Sequence, residues 1–161
     1  MLSTELEVPT AEDIELVELA RDVIDANTDA GPDGAHTMGA AVRDADGHMF
    51  AGVNLFHFTG GPCAELVAFG AARAHGGRGI TTIVAGKHGR GVVGPCGRDR
   101  QVFFDYYPGI SVLLPTAEGV RVATIEALMP FADAVCRGAD NGGRHSAVRR
   151  GAFSLPSGGI E

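Results

Sequence analysis

The sequence predicts one domain built as a three-layer α/β sandwich. Its 161 residues and 45% hydrophobic content are sufficient for a single domain with a buried core. The predicted elements follow the order helix, hairpin, helix, strand, helix, strand, which is typical of helices packed on both faces of a sheet. The chain contains no internal repeat. We therefore treat residues 1–161 as a single domain and justify each element in turn.

The first predicted element is a helix within the N-terminal region, residues 1–31. Thr10 and Asp13 form a capping-box pattern in which Asp replaces the usual Glu or Gln. Apolar residues then recur at helical spacing, namely Ile14, Val17, Ala20, Val23 and Ile24. The sequence Gly-Pro-Asp-Gly at residues 31–34 is predicted to end this helix.

A β-hairpin and a second helix are predicted next. Apolar runs at residues 38–42 and 49–54 flank an Asp-Gly pair at residues 46–47, which is a strong hairpin signal. After a Gly-rich loop, Pro62 suits the first turn of a helix. Residues 63–75 are rich in Ala, Leu and Val and precede two glycines, so they are predicted to form that helix.

The remaining elements are shorter. They are predicted as a buried strand at residues 80–85, a loop at 86–94, a helix from 95 to about 106, a strand at 110–114 and a helical turn at 124–128. Beyond Arg137 the chain is rich in Gly, Arg and Ser and has no periodicity. Residues 137–161 are therefore predicted to form a mobile tail.

Charge and composition narrow the class of function. The net charge is −7, and no run of Lys and Arg precedes the tail, which argues against a nucleic-acid partner. No apolar run approaches the ~18 residues of a membrane span, and the acidic N-terminus lacks the features of a signal peptide. Three cysteines are too few for a disulfide framework. We expect a cytoplasmic protein with a small-molecule substrate and no membrane partner.

Two Pro-Cys motifs carry the strongest chemical signal. Pro-Cys-Ala-Glu at residues 62–65 is followed about thirty residues later by Pro-Cys-Gly-Arg-Asp at residues 95–99. This layout is that of a zinc site that deaminates nucleobases. Cys63 and Cys96 fall at predicted helix N-termini, where backbone N–H groups and the helix dipole favour the thiolate that zinc needs. The motifs therefore predict a zinc site.

The third ligand is predicted to be Asp99, which stands where a third thiolate is usual. Asp99 and Cys96 are three residues apart and share one face of a helix, so both can reach one ion. A carboxylate is an established zinc ligand. Glu65, next to the metal but not bound to it, is predicted to carry protons from a water to a leaving amine.

Less specific interpretations of these residues remain open. Cys63 and Cys96 could be small buried hydrophobic residues, as free cysteines often are. Asp99 could be a surface residue of a helix, because Arg98 and Arg100 flank it. Cys136 has no comparable setting and is interpreted as structural.

Residues 52–67, with the sequence Gly-Val-Asn-Leu-Phe-His-Phe-Thr-Gly-Gly-Pro-Cys-Ala-Glu-Leu-Val, resemble the blasticidin-S deaminase branch of the cytidine deaminase family. Residues 95–102, 107–110 and 125–131 continue the resemblance, which covers about residues 37–131. It implies the three-layer α/β/α sandwich of the cytidine deaminase type, with a mixed sheet. It also implies one Zn²⁺ per chain and a homo-oligomer, usually a tetramer, whose sites lie near subunit contacts.

The resemblance also assigns roles to individual residues. It makes Cys63 and Cys96 zinc ligands and Glu65 the proton shuttle, and it puts Asp99 at the third-ligand position, where the family has Cys. Asn54 matches a residue near the sugar of the substrate.

Two pocket positions differ from ordinary cytidine deaminases. Phe56 stands where those enzymes have a Glu that grips the ribose hydroxyls, so plain cytidine is not expected to be the best substrate. His36 falls where they commonly place a Phe against the base, and is predicted to contact substrate; a solvent-facing loop histidine is the alternative.

The sequence thus predicts a zinc-dependent hydrolytic deaminase of an aminopyrimidine, which releases ammonia. A cytosine nucleoside or a nucleoside antibiotic such as blasticidin S is the expected substrate class. One alternative is a deaminase of another amino-heterocycle. The other is a non-catalytic, zinc-binding relative, which the replacement of a thiolate by Asp99 would favour.

Overall fold

The computed structural model describes residues 6–28 and 35–132 of the chain. Within these ranges the chain forms three α-helices, six strands and one 3₁₀ helix. In chain order they are α1 (Ala11–Asn27), β1 (Met38–Arg43), β2 (Met49–Val53), α2 (Ala64–Ala74), β3 (Thr82–Lys87), β4 (Gly91–Val93), α3 (Gly97–Tyr106), β5 (Ser111–Thr116), β6 (Gly119–Thr124) and the 3₁₀ helix (Ile125–Leu128). No helix in these two ranges has the length and apolar character needed to cross a bilayer.

The strands form one mixed sheet in the order β2-β1-β3-β5-β6, with β4 added beside β3. The β3–β5 pair is parallel, and the other pairs are antiparallel. One edge of β3 is paired with β1 along its whole length, whereas the other edge is paired first with β5 and then with β4. The predicted mixed sheet is therefore confirmed.

Helices cover both faces of this sheet, which confirms the three-layer arrangement. Side chains alternate between faces along a strand. On β1 and β3, Ala40, Val42 and Ile83 belong to the buried cluster that includes residues of α2 and α3. Their neighbours Ala41 and Val84 belong to a second cluster, which includes residues of α1. The apolar runs of the sequence are explained by this burial on both sides.

Helix α1 begins as predicted. Thr10 Oγ1 accepts a hydrogen bond from the backbone N–H of Asp13 at 3.2 Å, and the Thr10 N–H donates to the Asp13 carboxylate at 3.0 Å, so the capping box is complete. The helix ends at Asn27. The Gly-Pro-Asp-Gly segment that was predicted to end it lies outside the described residues.

Close packing fixes α2 against the hairpin. A Cβ atom on Gly52 of β2 would lie 2.5 Å from the backbone nitrogen of Ala68, a distance that real Cβ atoms do not show. Glycine at this position lets the backbone of α2 approach the strand. The approach also determines where the N-terminus of α2 lies.

Two strands were not predicted from the sequence. β4 lies within the segment that was predicted to be a loop, and β6 follows β5 in an antiparallel hairpin. The predicted strand at residues 80–85 is displaced, because β3 covers Thr82–Lys87. The predicted tail, residues 137–161, and Cys136 lie outside the described residues.

Candidate active site

The N-termini of α2 and α3 bring the predicted metal ligands together. Cys63 is the N-cap of α2 and Cys96 is the N-cap of α3, and neither side chain makes a capping hydrogen bond. Glu65 lies in the first turn of α2, and Asp99 lies in the first turn of α3. Because helix N-termini carry partial positive charge, both ends favour anionic ligands at this point.

The distances between the three donor groups fit a single ion. The Sγ atoms of Cys63 and Cys96 are 3.7 Å apart, and the Cys96 thiol donates to Asp99 Oδ2 at 3.1 Å. One donor atom from each of the three residues lies within 4.8 Å of the others. Two sulfurs bound tetrahedrally at about 2.3 Å would be about 3.8 Å apart, close to the spacing observed.

Asp99 is buried, which excludes the interpretation of it as a surface residue. Its side chain is 0% exposed, and Oδ1 has no hydrogen-bond partner among the described residues. A buried polar atom without a partner costs about 1–3 kcal/mol, and more for a charged group. A buried carboxylate with an unpaired oxygen, grouped with two cysteine sulfurs, is a donor set that a Zn²⁺ ion fits.

Glu65 has the electrostatic environment of a proton carrier. Its side chain is 3% exposed. Burial, followed by the negative charge of Asp99, raises the pKa of Glu65 to about 7. At neutral pH the carboxyl group therefore exists in both protonation states, which suits a group that must accept a proton and then return it.

Arg98 is a site residue that the sequence interpretation did not identify. Its Nη2 donates to Cys63 Sγ at 3.4 Å and to the carbonyl oxygen of Gly61 at 3.0 Å. Burial raises the pKa of the Cys63 thiol to about 11, Arg98 opposes that rise, and Asp99 adds to it. Arg98 therefore favours the thiolate. Its place between Cys96 and Asp99 in one helical turn was the available signal.

A cavity of about 360 Å³ opens beside the cluster, within the size range of small-molecule sites. It is lined by the cluster, by Glu65 and by the loop that follows β2. Asn54 lines it too and is braced, because its Oδ1 accepts from the Met38 N–H at 2.9 Å and its Nδ2 donates to the Ala35 carbonyl at 3.0 Å. His36 is not among the residues that line this cavity.

His57, which also lines the cavity, has a defined tautomer. The Thr59 backbone N–H donates to His57 Nδ1 at 3.2 Å, and Thr59 Oγ1 lies 2.6 Å from the same nitrogen. Because a backbone N–H can only donate, Nδ1 is the acceptor and the neutral ring carries its proton on Nε2. The ring also packs on Phe58, with centroids 4.5 Å apart.

Two other features of the described residues, a cleft and a group of potential ligands, differ from this site. A larger cleft of about 580 Å³ lies between α1 and the β3–β4 hairpin, and none of the predicted catalytic or metal-binding residues lines it. A second group of three potential ligands, Asp44, Asp46 and His48, lies in the turn between β1 and β2. Neither feature brings a proton carrier next to a metal-binding cluster.

Known proteins are similar to this chain in sequence and in fold. The chain is 35% identical over 130 residues to the blasticidin-S deaminase of Bacillus cereus, a match that covers 74% of this chain and 91% of that protein. Cytidine deaminase from Burkholderia pseudomallei superposes with a TM-score of 0.63 at 29% identity, over 78% of this chain and 100% of that one. The enzyme from Mycobacterium leprae gives 0.62 at 25% identity, over 73% and 96%. No protein-family model matches the chain.

Proposed function

We propose that the chain, which belongs to the blasticidin-S deaminase-like branch of the cytidine deaminase family, is a zinc-dependent hydrolytic deaminase of an aminopyrimidine. The observation that carries this proposal is the convergence of two thiols, a buried carboxylate and a second carboxyl group on one cavity. The proposed substrate is a cytosine nucleoside or a nucleoside antibiotic such as blasticidin S, and the products are the corresponding deaminated nucleoside and ammonia.

Cys63, Cys96 and Asp99 are the residues that would hold the zinc ion. When bound by three protein ligands, zinc supplies a Lewis acid and lowers the pKa of a water molecule to about 7. Arg98 adds a positive charge beside the Cys63 sulfur, and thereby limits the repulsion among three anionic ligands.

Glu65 would move the protons of the reaction. Its carboxylate takes a proton from the attacking water as the water oxygen bonds to the ring carbon that carries the amine. It gives that proton to the ring nitrogen, then takes the remaining proton from the oxygen now bonded to the ring carbon and delivers it to the amine. The carbon–nitrogen bond breaks, ammonia leaves and the ring carbon keeps the oxygen as a carbonyl. A carboxyl with a pKa near 7 suits both directions of transfer.

The pocket loop would position the substrate. Asn54 is held rigidly by two hydrogen bonds and retains a second N–H on Nδ2 that can donate to the substrate. His57 offers an Nε2–H donor. Phe56, which is 73% exposed, provides no acceptor for ribose hydroxyls. This set of groups favours a substrate other than plain cytidine. His36 stays a predicted substrate contact.

We further propose that the chain forms a homo-oligomer, with a tetramer favoured over a dimer. Three apolar side chains beside the cavity are largely exposed, namely Leu55 at 52%, Phe56 at 73% and Phe58 at 90%. Exposed apolar clusters of this kind mark contact surfaces, and a second copy of the chain would cover them. Sedimentation equilibrium on wild type and Phe58→Ser tests this, with the variant expected to dissociate at higher concentration.

The decisive experiment compares wild type with Glu65→Gln. The variant is expected to bind zinc as wild type does, but its rate of ammonia release should fall by about 10²–10⁴-fold, because it can no longer accept a proton. The substrate panel is cytidine, blasticidin S and aminated free bases. Undiminished turnover by zinc-loaded Glu65→Gln would exclude the proposed role of Glu65.

The same panel separates the alternatives. A preference for an aminated free base would support a deaminase of another amino-heterocycle. Zinc binding without ammonia release from any member of the panel would support a non-catalytic relative.

A further inference from the structure

We infer that Asp99 sets the metal selectivity of this centre, because it makes the centre a mixed sulfur–oxygen site that discriminates against soft ions such as Cd²⁺. The inference rests on the proposed function, which places a metal between Cys63, Cys96 and Asp99. It adds that the oxygen donor lowers the preference for Cd²⁺ over Zn²⁺, relative to a centre with three thiolates.

The burial of Asp99 supports a structural need for a cation. The side chain has no exposure to solvent, and its Oδ1 has no partner among the described residues. Oδ2 is 3.1 Å from the Cys96 sulfur, so its contact is with another metal-binding group. The free oxygen is shielded from solvent, so a cation bound beside it would supply the interaction that it lacks.

The neighbouring residues Arg98 and Arg100 do not supply the positive charge that the Asp99 carboxylate needs. Arg98 directs Nη2 to the Cys63 sulfur and the Gly61 carbonyl. The Nε of Arg100 donates to the carbonyl oxygen of Pro95 at 2.9 Å. Within the described residues, neither guanidinium donates a hydrogen bond to Asp99. The carboxylate therefore remains available as a ligand, not as the partner of a salt bridge.

The identity of the donor atoms then determines which metals are favoured. Thiolate is a soft ligand that selects soft ions, whereas carboxylate suits harder ions. Replacing one of three thiolates by a carboxylate keeps the charge of the ligand set. It removes one of the three bonds on which a preference for Cd²⁺ depends. We expect the ratio of Cd²⁺ to Zn²⁺ affinity to be at least about tenfold lower in wild type than in Asp99→Cys.

The test uses metal-free protein, kept reduced, and compares wild type with Asp99→Cys and Asp99→Asn. Co²⁺ is titrated first, because sulfur-to-cobalt charge-transfer absorption reports the number of thiolates bound. We expect intensities in the ratio of about two to three for wild type and Asp99→Cys. Competition between Cd²⁺ and Zn²⁺ then gives the affinity ratio. Circular dichroism confirms that each variant is folded.

Asp105→Asn is the matched control, because it removes an aspartate from the same helix. Asp105 accepts a hydrogen bond from Gln101 at 3.0 Å and lies outside the cluster. It should leave both the cobalt spectrum and the affinity ratio unchanged. Asp99→Asn keeps the size of the side chain but lacks its charge, and is expected to weaken zinc binding by more than the about 10–100-fold that loss of a supporting group costs.

The outcomes separate this inference from the proposed function. Equal Cd²⁺ to Zn²⁺ ratios in wild type and Asp99→Cys, despite the expected cobalt spectra, would overturn the selectivity inference and leave the zinc site intact. Identical cobalt spectra and identical zinc affinities in wild type and both Asp99 variants would remove Asp99 from the ligand set. Folded wild type that binds neither metal would overturn the inference and the zinc-dependent function together.

Discussion

Two regions of the molecule gather three potential metal ligands each, but the two groups differ in what their atoms already bind. In the β1–β2 turn, Asp44 Oδ1 accepts hydrogen bonds from the backbone N–H groups of Asp46 and His48, at 3.0 and 2.9 Å. Asp44 Oδ2 lies 3.5 Å from the His48 imidazole. Asp44 is therefore already held by two hydrogen bonds within the turn.

At the N-termini of α2 and α3, by contrast, the aspartate of the group is not fully hydrogen-bonded. Asp99 is more deeply buried than Asp44 and yet keeps an oxygen with no partner among the described residues. The neighbouring sulfurs of Cys63 and Cys96 are soft donors, and Glu65 lies beside them in the cavity. Proximity of ligands alone does not identify a metal site. Unmet bonding capacity in a buried position is the more informative signal.

Outside the proposed ligands and the proton carrier, the largest expected effect concerns Arg98. Replacing Arg98 with Met removes the positive charge next to the Cys63 sulfur. We expect zinc affinity to fall by about 10–100-fold, the usual cost of losing a group that supports a metal ligand. Competition with a chromophoric chelator measures this. Arg21→Met, which removes an exposed arginine of α1, should leave zinc affinity unchanged, and an equal loss in both variants would contradict the role given to Arg98.

Asp13 is a buried carboxylate whose two oxygens both accept hydrogen bonds. Its replacement should therefore affect the stability of the fold and not zinc binding. Asp13 accepts a 2.7 Å hydrogen bond from Arg43 and also caps α1. Burial raises the pKa of Asp13, but the Thr10 backbone and Arg43 lower it more, so it lies below the usual value. Asp13→Asn should therefore destabilise the fold at neutral pH by about 1.5–3 kcal/mol, the range for a hydrogen bond to a charged group.

The pH dependence of this effect has a definite sign. A carboxyl whose pKa is lowered by folding contributes stability above its unfolded pKa of about 3.9, and loses it as pH falls through the folded value. The difference in unfolding free energy between wild type and Asp13→Asn should thus be largest at neutral pH and shrink below about pH 4. Urea denaturation across this range measures it, and a difference that grows on acidification would be inconsistent with the pKa direction.

The smallest expected effect is on the stability of variants in the β1–β2 turn. Asp44→Ala removes the acceptor of two backbone N–H groups, and should destabilise the protein by about 1–2 kcal/mol. Zinc content should not change. His48→Ala should have little effect on either quantity, because its imidazole is exposed. Loss of zinc from either variant would show that the turn takes part in metal binding.

The elements that the sequence predicted best were those with local signals. The capping box of α1, the Asp-Gly turn and the placement of the two cysteines at helix N-termini each depend on a few adjacent residues, and all were confirmed. Contrary to the prediction, Pro62 and Pro95 precede the N-caps and do not lie in the first helical turns. β4 is three residues long and exists because β3 offers it an edge, which is a tertiary effect. β6 had a usable signal, since the β-branched residues Val120 and Val122 recur at a spacing of two after Gly119.

The candidate site was predicted in its residues but not in its electrostatics. The spacing of the Pro-Cys motifs identified Cys63, Cys96 and Glu65. It did not predict that Asp99 would be fully buried, because two flanking arginines make that segment resemble an exposed helix turn. Burial and unmet hydrogen bonds depend on how α2 and α3 pack, which short-range sequence patterns do not encode.

The most direct test of the zinc centre is the zinc content per chain of purified wild type and Asp99→Ala, with an Asp46→Ala/His48→Ala double variant as the control. We expect about one zinc in wild type and in the turn variant. Zinc should be largely lost from Asp99→Ala. One zinc in all three proteins would show that the third ligand lies elsewhere. Little zinc in wild type would contradict the assignment of a zinc centre to the two helix N-termini.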